Sequence, residues 1–309
     1  MSLEKFFANP DAEKLVEGTN LIDFSQIVIS TIMHTYNEGD KIDTKLVRHV
    51  VLNTLRYNVL KNKQLYPNIV ICVDNSKDGY WRRKLCYYYK KNRHDKREES
   101  EWDWEGIFEG MHTVIAELKE TFPYIVIDNP HTEADDVIGV LAEYISLNHP
   151  ETPILITSSD GDFTQLQIHP KVKQWSPMQK KWVKPKHGSP TRDLLYKIIK
   201  GDKKDAVAAY TSPSDYWITR LDGEKQKSIK TKFMAEVFEA KDFKSMFEGE
   251  ELRRIKENEI LLDLRRIPDS IKNPILHEYL HQVPAKRGGI YRYFVKHALV
   301  KLLDVSSEF

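Results

Sequence analysis

The sequence predicts an α/β fold: a mostly parallel sheet flanked by helices and carrying a long basic insertion, followed by a smaller all-helical domain. Three observations predict it. Short apolar runs at Asn20–Asp23, Asn68–Asp74, Tyr124–Ile127 and Ile154–Ile156 alternate with segments of helical apolar spacing, the pattern of βαβ units. A basic, aromatic stretch of nearly thirty residues interrupts that alternation. After Pro190 only helical patterns remain.

The organising stretch is Pro153-Ile-Leu-Ile-Thr-Ser-Ser-Asp-Gly-Asp-Phe-Thr-Gln-Leu166. Its apolar run reads as a buried strand that ends in Asp160 and Asp162, with Gly161 between them. Ligands of open α/β sheets sit beyond the carboxyl ends of the strands, so two acids there suit a divalent cation. The plainer alternative is an Asp-Gly turn with a helix cap.

In chain order, Met1–Glu17 is polar and acidic apart from Leu3, Phe6 and Phe7, and reads as a tail. A short strand ends at Asp23 and an apolar helical run follows from Gln26 to Tyr36. Leu46, Val50, Val51 and Leu55 place a helix over Asp40–Tyr57. The second strand ends at Asp74. Asn75–Asp103 then carries Tyr80, Trp81, Arg82, Arg83, Lys84, Tyr87, Tyr88, Tyr89, Lys90, Lys91 and Arg93; connections this long are often functional. A helix runs from Trp104 to Lys119, and the third strand is Tyr124–Ile127. Thr132 is expected to cap a helix reaching Leu147. Beyond the organising strand, Val172, Trp175, Trp182 and Val183 flank a turn at Met178, which predicts a hairpin. Lys184–Pro190, with two prolines and a glycine, reads as the seam between domains.

Composition is that of an ordinary globular chain, 40% hydrophobic and 30% charged. Apolar runs shorter than ten residues exclude a membrane-spanning helix. No basic region followed by an apolar stretch opens the chain, so no signal peptide is expected. Cys72 and Cys86 suggest a reducing compartment, the cytoplasm, and offer no zinc spacing. Net charge is +1, yet Lys77–Arg97 holds nine Lys/Arg against two acids and Lys171–Lys204 eleven against two. Basic blocks with an acidic remainder suit a protein that grips phosphate and holds cations; solvated faces are the alternative.

Four strand or strand–helix junctions supply acids: Asp23, Asp74, Glu133/Asp135/Asp136 and Asp160/Asp162. Beyond the seam lie Asp202 and Asp205. The first four groups meet at one crevice in a doubly wound sheet, where they repel unless cations neutralise them. Hard oxygen donors point to Mg²⁺ or Mn²⁺, and two such ions roughly 4 Å apart serve in-line phosphodiester hydrolysis. In a regular helix Asp135 points away from Glu133, so the two converge only if Glu133 lies at the helix start.

The ordered set Ile22-Asp23, Val73-Asp74, Glu133-Ala-Asp-Asp136, Ser159-Asp-Gly-Asp162 and Gly201-Asp-Lys-Lys-Asp205, with Arg82, Tyr89-Lys90 and Arg93 between the second and third acids, resembles the structure-specific 5′-nucleases. These include flap endonucleases and the 5′-nuclease domains of bacterial DNA polymerases. Gly79–Arg83, Tyr87–Arg93, Ser158–Leu166 and Lys173–Met178 are closer still to the ribonuclease H branch of T-even bacteriophages. The resemblance covers nearly the whole chain.

It implies a PIN-like or resolvase-like nuclease domain over 20–185 with an arch at about 75–103. A helical duplex-binding domain with a helix–turn–helix element follows over 186–309, and 1–19 is a tail. Two Mg²⁺ ions, replaceable by Mn²⁺, are implied: Asp74, Glu133, Asp135 and Asp160 hold the first, Asp162, Asp202 and Asp205 the second, with Asp23 and Asp136 in support. Lys90 and Arg82 touch the scissile phosphate. Arg83, Tyr89, Lys91, Arg93, Arg192, Lys203, Lys204 and Lys230 touch nucleic acid. Many relatives carry Asn and a Gly-Ile-Gly turn after the last acid; here Ala206 follows and the turn is missing. The implied activity removes RNA primers and short DNA from 5′ ends and flaps, as RNase H, 5′→3′ exonuclease and flap endonuclease, on DNA and RNA–DNA hybrids. A monomer is expected, with a sliding clamp (through Leu3, Phe6 and Phe7) and a single-stranded-DNA-binding protein as partners and no membrane. A PIN-type single-strand ribonuclease and an inactive flap-binding protein are the alternatives.

Overall fold

A computed structural model describes residues 16–309; Leu3, Phe6 and Phe7 lie outside them. The chain runs β1 (Thr19–Asp23), α1 (Phe24–Thr35), α2 (Thr44–Asn62) and β2 (Asn68–Cys72). The arch contributes α3 (Trp81–Leu85) and α4 (Lys91–Glu98), and α5 (Trp104–Thr121) leads into β3 (Ile125–Ile127). Next come α6 (Ala134–Asn148), β4 (Ile154–Thr157), a 3₁₀ segment Gly161–Ile168, β5 (Val172–Ser176) and β6 (Lys181–Val183).

The six strands are ordered β3-β2-β1-β4-β5-β6. All pairs are parallel except the β5–β6 hairpin. Every residue of β1 and β4 is buried, which is why the apolar residues of β4 run on without alternation; in β1 the polar Thr19, Asn20 and Asp23 are buried as well. From β1 the chain steps outward to β2 and β3 on one side, then returns to place β4 on the other. The strand order reverses between β1 and β4, and the crevice at that reversal is where open α/β sheets bind ligands.

Helices α1, α2 and α5 cover one face through Ile27, Val51, Leu55, Val114 and Leu118, and α6 covers the other through Val137, Ile138 and Leu141. Helices α2 and α5 approach so closely at Gly110 that a Cβ there would stand 2.6 Å from Val47 Cγ2. Thr132 does not cap α6, as the sequence suggested; its hydroxyl donates to Asn129 O at 2.6 Å. Glu133 is the cap instead: the Asp136 amide donates to the Glu133 backbone carbonyl at 3.0 Å and the Asp136 carboxylate accepts from the Glu133 amide at 2.9 Å, which leaves the Glu133 carboxylate to Arg82 and Lys90.

Past the seam, Ser189 caps α7 (Pro190–Lys200), with Pro190 in the first turn where a missing N–H costs nothing. Then follow α8 (Tyr216–Thr219), α9 (Thr231–Glu239) and α10 (Gly249–Leu262). Leu194, Ile198, Met234, Val237 and Ile255 form a separate core there. The remaining helices return to the sheet layers. Ile271 and Ile275 of α11 (Asp269–His281) join the core under α6. Phe294 of α12 (Ile290–Lys296), Leu302 of α13 (Val300–Leu303) and Phe309 join the α2–α5 core. No helix among the described residues is long and apolar enough to cross a membrane.

Candidate active site

The ends of β1, β2 and β4 and the start of α6 bring acids to the crevice. Asp23 closes β1, is 4% exposed and accepts from Ser158 Oγ at 2.7 Å. Asp74, just past β2, accepts from the Ala134 amide at 3.0 Å, which ties the second acid to the third group. Glu133 occupies the cap of α6, the helix-start position that convergence with Asp135 requires. Asp160 caps the 3₁₀ segment through the Asp162 amide at 3.1 Å. Gln174 Nε2 pins this turn from β5, donating to Ser158 O at 3.0 Å and Asp160 O at 2.6 Å.

Asp202 and Asp205 come from a tight loop after α7. Asp202 and Val207 exchange both backbone hydrogen bonds at 2.9 Å. Gly201 enters the loop at φ +75°, and a Cβ there would stand 2.3 Å from Val207 O, so only glycine fits. Arg254 and Asn258 of α10 hold the loop from behind. Arg254 donates to Ser212 O and Ala208 O at 3.1 Å each, and Asn258 donates to Ala208 O at 2.9 Å and Ile198 O at 2.8 Å.

The arch reaches into the crevice from above. Lys90, buried and left-handed at φ 55°, pairs with Glu133 and lies 3.6 Å from Asp135 and 3.9 Å from Asp205. Arg93 pairs with Asp205 at 2.5 Å. Two expectations are corrected here. Arg82 is 1% exposed and its guanidinium is taken up by Glu133 at 2.9 Å, Asp136 at 2.7 Å and Leu261 O at 3.0 Å. It therefore orients acids from inside and has no open face for a phosphate. Tyr89 is also buried, packed with Val207, Leu261 and Leu262, because its ring closes the joint between arch and helical region. Arg83 donates to Tyr89 O at 3.1 Å and Lys90 O at 3.2 Å, which shapes the arch foot. Lys91, Lys203, Lys204 and Lys230 are exposed. Arg192 pairs with Glu239.

Charge is unbalanced across this site. Nine carboxylates (Asp23, Asp74, Glu133, Asp135, Asp136, Asp160, Asp162, Asp202, Asp205) meet four cationic side chains among the described residues: Arg82, Lys90, Arg93 and Lys197. Burial pushes Glu133 up, but Lys90 and Arg82 outweigh it and hold the carboxyl at about 2. Asp135 is raised to about 7, by burial first; Lys90 offsets part of that, and Glu133, Asp160 and Asp74 add to it. Asp23 is raised by burial, then by Asp135 and Asp74. Burial first and neighbouring carboxylates second raise Asp135 and Asp23, and nine carboxylates against four cations leave a deficit of positive charge that a divalent cation with oxygen preference would fill.

The donor set thus fits such ions, with Asp74, Asp135, Asp160, Asp162 and Asp202 partly exposed to the crevice. Glu133 reaches an ion only by giving up Lys90. Among the described residues, the one set of three donors with ligand atoms within 4.8 Å of one another is His94, Asp95 and Glu98, all exposed on α4. The crevice acids stand apart, with lysines between them.

Sequence reasoning missed Lys197, which pairs with Asp162 and lies 3.1 Å from Asp202. Its one signal was membership of the Lys171–Lys204 basic block. Trp81, whose Nε1 donates to Asp136 at 3.0 Å, was visible only as an arch aromatic. Gln174 was visible only inside the Lys173–Met178 stretch, and Arg254 and Asn258 carried no signal, since their partners lie 42 to 60 residues away along the chain.

Comparisons with known proteins agree with this geometry. Residues 19–189 match the family model of the 5′–3′ exonuclease N-terminal resolvase-like domain, and residues 188–309 match that of the T4 RNase H C-terminal domain. The ribonuclease H of Enterobacteria phage T4 is 50% identical over 299 residues, 96% of this chain and 97% of that protein. Among solved structures, the bacteriophage T5 D15 protein co-crystallised with metal ions has a TM-score of 0.61 at 16% identity, covering 85% of this chain and 99% of that one. A T5 D15 flap endonuclease variant in a pseudo-enzyme–product complex with DNA and metal ions has a TM-score of 0.62 at 14% identity, covering 86% of this chain and 100% of that one. At such identity these structures speak for the fold alone. Acid crevice, resolvase-like sheet and helical C-terminal region are accounted for together: the chain belongs to the 5′–3′ exonuclease family of nucleases, in the group of the T4 ribonuclease H.

Proposed function

We propose that the protein is a Mg²⁺-dependent 5′-nuclease with two ions, replaceable by Mn²⁺, that removes RNA primers and adjacent DNA or flaps from 5′ ends during replication. The observation that carries this reading is the nine-carboxylate crevice at the β1–β4 reversal, lying under a basic arch. Asp74, Glu133, Asp135 and Asp160 would hold one ion and Asp162, Asp202 and Asp205 the other, supported by Asp23 and Asp136. Bound there, the ions would lower the pKa of an attacking water and neutralise charge on the phosphate. The chain's own part is to orient. Arg82 fixes Glu133 and Asp136 from within, Ser158 and Gln174 fix the Asp23 and Asp160 turns, and Lys90 waits at the arch foot for developing phosphate charge.

Residues 20–185 are read as the nuclease domain, 75–103 as the arch, and 186–309 as the helical region that grips duplex through Arg192, Lys203, Lys204 and Lys230. Lys91 and Arg93 would meet the strand at the arch. DNA and RNA–DNA hybrids with 5′ ends or flaps are the substrates, in the cytoplasm, and a monomer suffices. A sliding clamp, taken by Leu3, Phe6 and Phe7, and a single-stranded-DNA-binding protein are the proposed partners. Truncating residues 2–10 should abolish pull-down by the cognate clamp.

Cleavage of 5′-labelled flap, nicked-duplex, RNA–DNA hybrid and single-stranded RNA substrates, with Mg²⁺ or with EDTA, tests the activity. Short products from flaps and hybrids in Mg²⁺ alone are expected. Cleavage confined to single-stranded RNA would favour the PIN-type ribonuclease, and flap binding without cleavage a binding protein.

A further inference from the structure

Lys197 lies in the last turn of α7, where the helix C-terminus favours a cation. Leu194 and Ile198 of the same helix are anchored in the helical core, so the base of the side chain is fixed. Its ammonium pairs with Asp162 and lies 3.1 Å from Asp202, joining an acid on the sheet side of the seam to one beyond it. The three side chains are only 23%, 17% and 15% exposed. Within the proposed function these are two of the acids assigned to the second ion, so ion and ammonium claim the same space.

We propose that Lys197 is the resident counter-ion of the second metal position, holding Asp162 and Asp202 together in the free protein and yielding them when a divalent cation binds. The inference rests on the metal-site reading of the crevice. Lys197 suits the role because its stem is flexible and its ammonium is a compact point charge that water receives readily. Arg82 could not do the same, since its guanidinium is buried in a fixed fork with two acids. The lysine thereby sets how much ion the second position needs: binding must first release two partly exposed ion pairs, roughly a tenfold loss of affinity.

The test is isothermal titration calorimetry of the full chain with MgCl₂ and with MnCl₂, for wild type, Lys197→Met, Lys197→Gln and Asp202→Asn, with melting temperatures in EDTA and in Mg²⁺. In both Lys197 variants the weaker site should tighten about tenfold and the tighter one stay unchanged. Melting in EDTA should fall, and the gain on adding Mg²⁺ should grow. If the weaker site keeps or loses affinity in both variants while Asp202→Asn removes it, the counter-ion role is overturned and the metal site stands. If Asp202→Asn leaves both sites as in wild type, the metal reading of this half of the crevice falls, and the inference with it.

Discussion

The backbone amide of Lys90 donates to the carbonyl of Asp205 at 2.9 Å. This bond joins the foot of the arch to an acid across the seam, and the Arg93–Asp205 pair repeats the link 2.5 Å apart. A nucleic-acid strand that moves the arch must therefore also disturb Asp205 and, through it, the loop carrying Asp202. The arch foot and the acid crevice are thus bonded as one unit.

The Lys90 side chain tests that unit. Lys90→Ala should lower the single-turnover cleavage rate, since on the proposed reading its ammonium, beside Glu133 and Asp135, would meet the developing phosphate charge. It should also destabilise the metal-free protein by about 3 kcal/mol, because Glu133 is left buried with Arg82 alone. Added Mg²⁺ should recover part of that loss. An effect on substrate affinity alone, with unchanged melting in EDTA, would contradict the placement of the arch over the acids.

Asp135 gives a pH signature. Its folded value of about 7 lies above the ordinary 3.8, so between about pH 4 and 7 the folded protein holds a proton that the unfolded chain releases. Stability from this group is present below pH 4 and is lost as pH rises to 7, with an upper bound of about 4 kcal/mol. Asp23, also raised, acts with the same sign; His169 and His297, both lowered by burial, act against it. Comparing wild type with Asp135→Asn isolates the term. In EDTA the Asn variant should gain on wild type as pH rises and be the more stable at pH 7, though inactive. A constant difference in melting temperature across that range would refute the shift.

How much of this was legible beforehand follows from which interactions are local. Strands β2, β3 and β4 were readable as short apolar runs, and the acids of β1, β2 and β4 because a carboxylate closes the strand or follows within three residues of it; β1 and β4 hide both faces. The acids were readable because several junctions repeat one chemistry. The cations were not. Arg82 and Lys90 looked alike as basic arch residues, yet one is sealed against Leu261 O and Asp136 while the other faces the crevice. That difference is decided by α10, some 170 residues away. Lys197 was hidden for the same reason: a lysine in a basic block reads as solvated until a fold sets two acids beside it.

Asp160 and Asp202 should separate by what each substitution leaves intact. Asp160→Asn keeps an oxygen to accept from the Asp162 amide, so the turn should fold, and cleavage should fall below detection because the proposed ion would lose a charged ligand. Asp202→Asn likewise keeps its bond from the Lys204 amide and should lower turnover more than substrate affinity. Circular dichroism and single-turnover cleavage of a flap substrate decide the matter. Substantial activity in Asp160→Asn, or wild-type activity in EDTA, would end the two-ion reading.

The basic surface past the seam predicts a graded salt dependence. Lys204 and Lys230 are exposed, so Lys204→Ala or Lys230→Ala should weaken duplex binding across sequences and reduce the slope of log affinity against log salt by about 0.9. Arg192 is different, because Glu239 pairs with it and the Phe238 ring lies 5.5 Å away. Exposed pairs of this kind are worth under about 1 kcal/mol, so a phosphate can displace the carboxylate. Arg192→Ala should lower affinity and slope, whereas Glu239→Gln, which frees the guanidinium, should raise both. Fluorescence anisotropy of a nicked duplex over a KCl series, with Ca²⁺ in place of Mg²⁺ to prevent cleavage, measures the slopes. If Glu239→Gln and Arg192→Ala both leave the slope at its wild-type value, Arg192 stays with Glu239 on DNA and the duplex is held by Lys203, Lys204 and Lys230 alone.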